Sequence, residues 1–210
     1  MTWVVPLAIA GVIAIIDWWA VGIDRRGIAR WAKPAVMIFL IGAAVLIPAE
    51  SEAIRWCIIV GLIFGLMGDV LLFQDRFIPG AAAFLVGHLA YVVALLLVPQ
   101  EPRGLLVGGV IVLLVAVIVG RKIVAGAWAK SRVLGAIVTT YMVVIGVVVI
   151  LAVGSSSIVV EIAALLFLTS DALLAWARFV GPAPGGRVTV MVTYQLAQAG
   201  FVLAIPTLVS

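Results

Sequence analysis

Charge is scarce in this 210-residue chain: 10 % of its residues are Asp, Glu, Lys or Arg, where a soluble domain carries roughly 25 %. Cysteine and histidine occur once each, as Cys57 and His88. A lone cysteine excludes an internal disulfide and a multi-cysteine metal site. A lone histidine excludes HExxH and related zinc clusters. Neither a P-loop nor a dinucleotide glycine fingerprint occurs. Ser170 precedes Asp171, but there is no GxSxG elbow and the one histidine lies on another segment, so a serine triad has no support. No metal and no cofactor is expected. Cys57, midway along an apolar run, reads as a packing residue.

Apolar residues dominate instead, at 66 % of the chain. They fall into eight runs, about 3–23, 34–49, 54–73, 78–98, 104–120, 133–153, 158–177 and 188–208. A helix needs about 20 such residues to cross a hydrocarbon core. Membrane barrels alternate apolar and polar residues, whereas these runs are apolar on every face. The expected fold class is therefore all-α: a polytopic integral membrane protein with eight transmembrane helices in one bundle, forming a single domain over 1–210. The first run has no basic stretch before it and no cleavage site before Asp17, so it reads as a helix rather than a removed signal.

The net charge of +4 and pI of 9.7 do not call for nucleic acid, because the cations sit in short loops. The odd-numbered loops hold Arg25, Arg26, Arg30 and Lys33, then Arg76, then Arg121, Lys122, Lys130 and Arg132, then Arg178 and Arg187. The even loops hold only Arg55 and Arg103. Positive residues favour the cytoplasmic side. This places both termini outside and the odd loops in the cytoplasm, in what reads as a bacterial plasma membrane. Trp18, Trp19, Trp31, Trp56, Trp128 and Trp176 fall near the expected interfaces, where aromatic belts belong.

Against this background two acids stand out. Asp69 lies in IIVGLIFGLMGDVLLF and Asp171 in IAALLFLTSDALLAW. A charged carboxylate at the centre of a membrane helix costs roughly 2.5 to 3.5 kcal/mol on insertion scales, so such residues face protein-lined cavities and mark function. Lys33, His88, Tyr91, Tyr194 and Gln198 fall at matching depth. Tyr194 and Gln198 share a helical stripe, as do His88 and Tyr91. One polar cavity toward the cytoplasmic leaflet accounts for the set. Gly61, Gly65 and Asp69 form a row that lets a neighbouring helix approach. Other readings stay open: a structural ion pair of either Asp with Lys33 or Arg178, and a helix-carbonyl bond for His88. Tyr91, Tyr194 and Gln198 serve packing or substrate equally well. Asp17 reads as an ordinary interfacial acid.

KP at 33–34, GD at 68–69, FxxGxxxFLxGHxxY from Phe77 to Tyr91, SDxLLA from Ser170 to Ala175 and YxxAQ from Tyr194 to Gln198 occur in order along nearly the whole chain. As a set they resemble the YhhN family, eight-span membrane proteins that include the lysoplasmalogenases. The resemblance implies cleavage of the vinyl ether bond of a lysoplasmalogen, an alkenyl glycerophosphocholine or glycerophosphoethanolamine. The products are a fatty aldehyde and a glycerophospho-alcohol. It also implies a catalytic pair at Asp69 and Asp171, with family His, Tyr and Lys positions falling on His88, Tyr91, Tyr194 and Lys33. The stretch Ala81–Ala83 departs from the larger apolar residues of many members, which bears on pocket width.

The mechanism expected from both lines uses one neutral carboxyl to protonate the vinyl ether carbon. The other, ionised, steadies the oxocarbenium ion and takes a proton from water. Lys33 would hold the lysolipid phosphate as a point charge. The expected partners are a lysophospholipid and the bilayer; nothing in the sequence fixes the oligomeric state. A small proton-coupled transporter and a non-catalytic lipid-binding protein are the alternatives, although no repeat relates the two halves. Intramembrane aspartyl proteases pair YD with GxGD; here Leu66 occupies the first glycine position and span seven reads SD.

Overall fold

The computed structural model describes residues 2–209. Eight helices are long and apolar enough to cross a membrane: α1 Val4–Gly22, α2 Arg26–Leu46, α3 Glu52–Phe73, α4 Phe77–Leu96, α5 Pro102–Lys130, α6 Arg132–Gly154, α7 Ile158–Phe179 and α8 Gly186–Thr207. No strand occurs among the described residues. The protein is an integral membrane protein, because only helices that satisfy their own backbone tolerate lipid along such lengths.

Two helices run past the boundaries expected from the sequence. The Pro34 signal suggested that α2 starts at 34, yet the helix begins at Arg26 and carries Pro34 inside it. The turns before the proline keep helical geometry because Ala29, Ala32 and Lys33 are packed into the bundle. Similarly, Arg121 and Lys122 do not end α5. The helix passes through a five-residue π turn, Ala116–Gly120, and continues to Lys130. Ile123 and Ala127 hold this extension by burial against Phe179. Ser131 then starts α6, its hydroxyl accepting the Leu134 amide at 3.1 Å.

Short loops pair the helices as hairpins, α1 with α2, α3 with α4, α5 with α6 and α7 with α8. Seven helices close a ring in the order α1, α2, α3, α4, α6, α7, α8, while α5 lies outside it against α6 and, through its last turns, α7. Lipid tails are as apolar as leucine, so close packing rather than hydrophobic exclusion holds such helices together. Glycines supply it on α3. The Tyr91 ring occupies the place a Gly61 side chain would fill, and the Phe84 ring does the same at Gly68. The ends joined by residues 23–25, 74–76 and 180–185 form one face of the bundle, and the polar interior opens there.

Candidate active site

Asp69 and Asp171 face the same cavity, of about 360 Å³, which opens at that end of the bundle. Lys33, Tyr194 and Asp17 share its lining. The sequence-derived pair is thus brought together from α3 and α7. His88, Tyr91 and Gln198 are not in the lining; they lie behind it as a buried layer.

The two carboxyls have unlike surroundings. Lys33 Nζ stands 2.7 Å from Asp69 Oδ1, an ion pair rather than an aligned hydrogen bond, and the Asp69 side chain has no solvent exposure. Lys33 also lies over the Tyr194 ring, 4.8 Å from its centroid. The lysine expected to hold a phosphate is thus paired with Asp69, one of the ion pairs left open for it. A positive neighbour at this range favours the ionised carboxylate.

Among the described residues, no Lys or Arg stands in ion-pair contact with Asp171. Its Oδ2 accepts the Tyr141 hydroxyl at 2.9 Å and lies 3.3 Å from His88 Nε2. Arg178, the alternative partner, instead covers the Phe77 ring at 5.0 Å. His88 Nδ1 is 2.7 Å from the Phe84 carbonyl oxygen. A carbonyl only accepts, so Nδ1 carries the hydrogen. The histidine therefore makes the helix-carbonyl bond foreseen for it and also turns Nε2 toward Asp171. The Nε2–Oδ2 contact is a close approach rather than an aligned hydrogen bond.

Behind the pair, Tyr91 donates to Gln198 Oε1 at 2.5 Å, and Gln198 Nε2 donates to the Tyr194 oxygen at 3.3 Å. Tyr91 stacks on Phe201 at 4.2 Å between centroids, and Phe167 packs edge-on against His88 at 4.5 Å. This layer joins α4, α7 and α8 and fixes the ring orientations. The Gly65 position on α3 abuts Gln198 Nε2 and the Tyr194 hydroxyl. The row Gly61–Gly65–Asp69 therefore admits site side chains as well as a neighbouring helix.

Asp17 corrects the sequence reading. It is fully buried rather than interfacial, and its Oδ2 accepts Gln195 Nε2 at 2.7 Å. The hydropathy break after α1 places it near an interface, but the α8 end packs over it. It joins Asp69, Asp75 and Asp171 among the acids that line the cavity. Tyr141 was also missed. The chain holds only three tyrosines, and the other two already lay in motifs. Its position inside an apolar run was the available signal. Cys57 is half-buried and free.

Comparison with known proteins adds the following. The model of the YhhN family matches residues 28–205. A relative named lysoplasmalogenase TMEM86B, from Sus scrofa, is 35 % identical over 140 residues, covering 65 % of this chain and 58 % of that protein. The chain thus matches less than two thirds of that relative's length. No solved structure matches.

Proposed function

The chain belongs to the YhhN family, and from that premise we propose that it is a membrane-embedded hydrolase of the vinyl ether bond of lysoplasmalogens, worked by Asp171 and Asp69. One observation carries the reading: two carboxyls face one cavity with opposite partners, Asp69 on a lysine and Asp171 on a tyrosine and a histidine. Such pairs divide into acid and base. The relative named lysoplasmalogenase supports the same chemistry.

Asp171, with the Tyr141 hydroxyl and His88 Nε2 beside it, is the general acid. It protonates the vinyl carbon β to the ether oxygen, and the double-bond electrons form the new C–H bond. The oxocarbenium ion left behind faces the Asp69 carboxylate, which is paired with Lys33. Asp69 steadies the cation and takes a proton from the water that adds to it. The hemiacetal then breaks its C–O bond as Asp69 returns its proton to the leaving glycerol oxygen and Asp171 takes the hydroxyl proton. This restores both carboxyls and releases a fatty aldehyde and the glycerophospho-alcohol, with one water consumed. Tyr141 donates to Asp171 once its proton has gone. The loop charges set the open end of the cavity toward the cytoplasm.

Hydrolysis in heavy water tests the chemistry. The purified protein should release aldehyde from an alkenyl lysophospholipid with one deuterium on the carbon next to the carbonyl. No aldehyde, or aldehyde lacking that deuterium, contradicts the reading.

A further inference from the structure

A second opening reaches Asp171. It lies between α4, α5, α6 and α7 and is walled almost entirely by carbon. It shares Leu72, Phe84, Asp171 and Leu174 with the polar cavity. Asp171 therefore stands on the seam between a polar space and an apolar one. Two more apolar grooves run along the flanks of α5, one toward α7 and one toward α6. Both meet the first at Val115 and Leu168.

The packing of α5 accounts for that junction. Its first turns are pinned to α6, with Gly104 against the Val153 backbone and Gly108 against Ile150. Its last turns are pinned to α7, with Gly126 against the Phe179 carbonyl and Lys130 Nζ donating to the Arg178 carbonyl at 2.5 Å. Between the pins lies the π turn, Ala116–Gly120. An inserted π turn interrupts the regular helical surface, and such turns gather at functional sites. Outward of it, Leu113, Leu114, Val117 and Ile118 are exposed as lipid-facing surface. An apolar route thus runs from Asp171 under α5 to the bilayer.

We propose that this route holds the hydrocarbon chain of a single-chain lipid. The chain leaves Asp171 past Met142, crosses between Val115 and Leu168, and continues beside the π turn into the bilayer; the polar end stays in the cavity with Lys33 and Asp69. Ala81, Ala172 and Ala175 keep the groove open along its length. The course of the chain rests on this geometry; only the bond held at the seam rests on the hydrolase reading above. Placing the polar–apolar boundary of the lipid at Asp171 presents the first bonds of the chain to the acid.

A photoreactive alkyl ether lysophospholipid, with a diazirine at mid-chain and no cleavable bond, tests the route in lipid nanodiscs with peptide mapping by mass spectrometry. Labelling is expected on Val115, Met142, Ile145 and Leu168. Val115→Trp and Leu168→Trp should each lower that labelling about tenfold, in line with pocket discrimination between apolar groups. Val115 is half-buried and tolerates the larger ring if Leu168 does not. Labelling confined to outward residues such as Leu113 and Ile118, unchanged by Val115→Trp, overturns the proposal. The probe is not cleaved, so the outcome is independent of chemistry. Groove labelling without aldehyde release from the vinyl ether counterpart supports the chain route while removing the hydrolase reading. Aldehyde release with outer-face labelling alone does the reverse.

Discussion

Lys33 and Asp69 form an ion pair of 2.7 Å between α2 and α3, and neither side chain is more than marginally exposed. The pair sets an acidic and a basic side chain against each other at the cavity wall inside a membrane protein. Removing one partner of a buried pair typically costs about 3–5 kcal/mol because the other charge stays buried. Lys33→Met is therefore expected to lower unfolding stability in detergent by about that amount. Lys33→Met combined with Asp69→Asn should recover most of it, yet stay inactive. Thermal unfolding of both variants beside the parent checks this.

Tyr141 supplies the only hydroxyl bonded to Asp171 among the described residues. Hydrogen bonds to charged groups contribute about 1.5–3 kcal/mol. Tyr141→Phe should lower kcat roughly 10- to 100-fold with little change in KM, since the bond counts most once Asp171 has lost its proton. Tyr91→Phe, whose hydroxyl meets Gln198 instead, should show up in stability, by about 0.6 kcal/mol as for typical membrane hydrogen bonds. Steady-state kinetics and thermal unfolding separate the two.

Gly61 lies under the Tyr91 ring. Gly61→Ala forces the ring out of its place between α3 and Phe201 and should destabilise by about 1–3 kcal/mol, the usual cost of overpacking. Gly11→Ala on α1 meets nothing within 4 Å and should be neutral or slightly stabilising, since alanine favours helix over glycine. Unfolding midpoints of both variants check the contrast.

Why some of this was legible in the sequence follows from the physics of the bilayer. Asp69 and Asp171 stand out because lipid makes any buried charge costly, and that cost is visible residue by residue. Eight spans are visible for the same reason. Asp17 was misread because the end of a hydropathy run marks where the apolar stretch stops, not whether another helix covers it; α8 does. Tyr141 carried no charge to betray it inside the run of α6. The π turn and the outlying position of α5 depend on glycine contacts between helices that no periodicity encodes. Lys33 was seen and its pairing with an intramembrane Asp was left open, but which Asp it meets was not legible, because the pairing of α2 with α3 is a tertiary fact.

The central claim, a working pair of carboxyls, is tested most directly by aldehyde release from an alkenyl lysophospholipid. The assay compares the parent protein with Asp69→Asn and Asp171→Asn at matched folded concentration. The account predicts release by the parent and a loss of at least about 100-fold in each variant, the lower range for removing a positioned acid or base. Release by either folded variant at the parent's rate would contradict it.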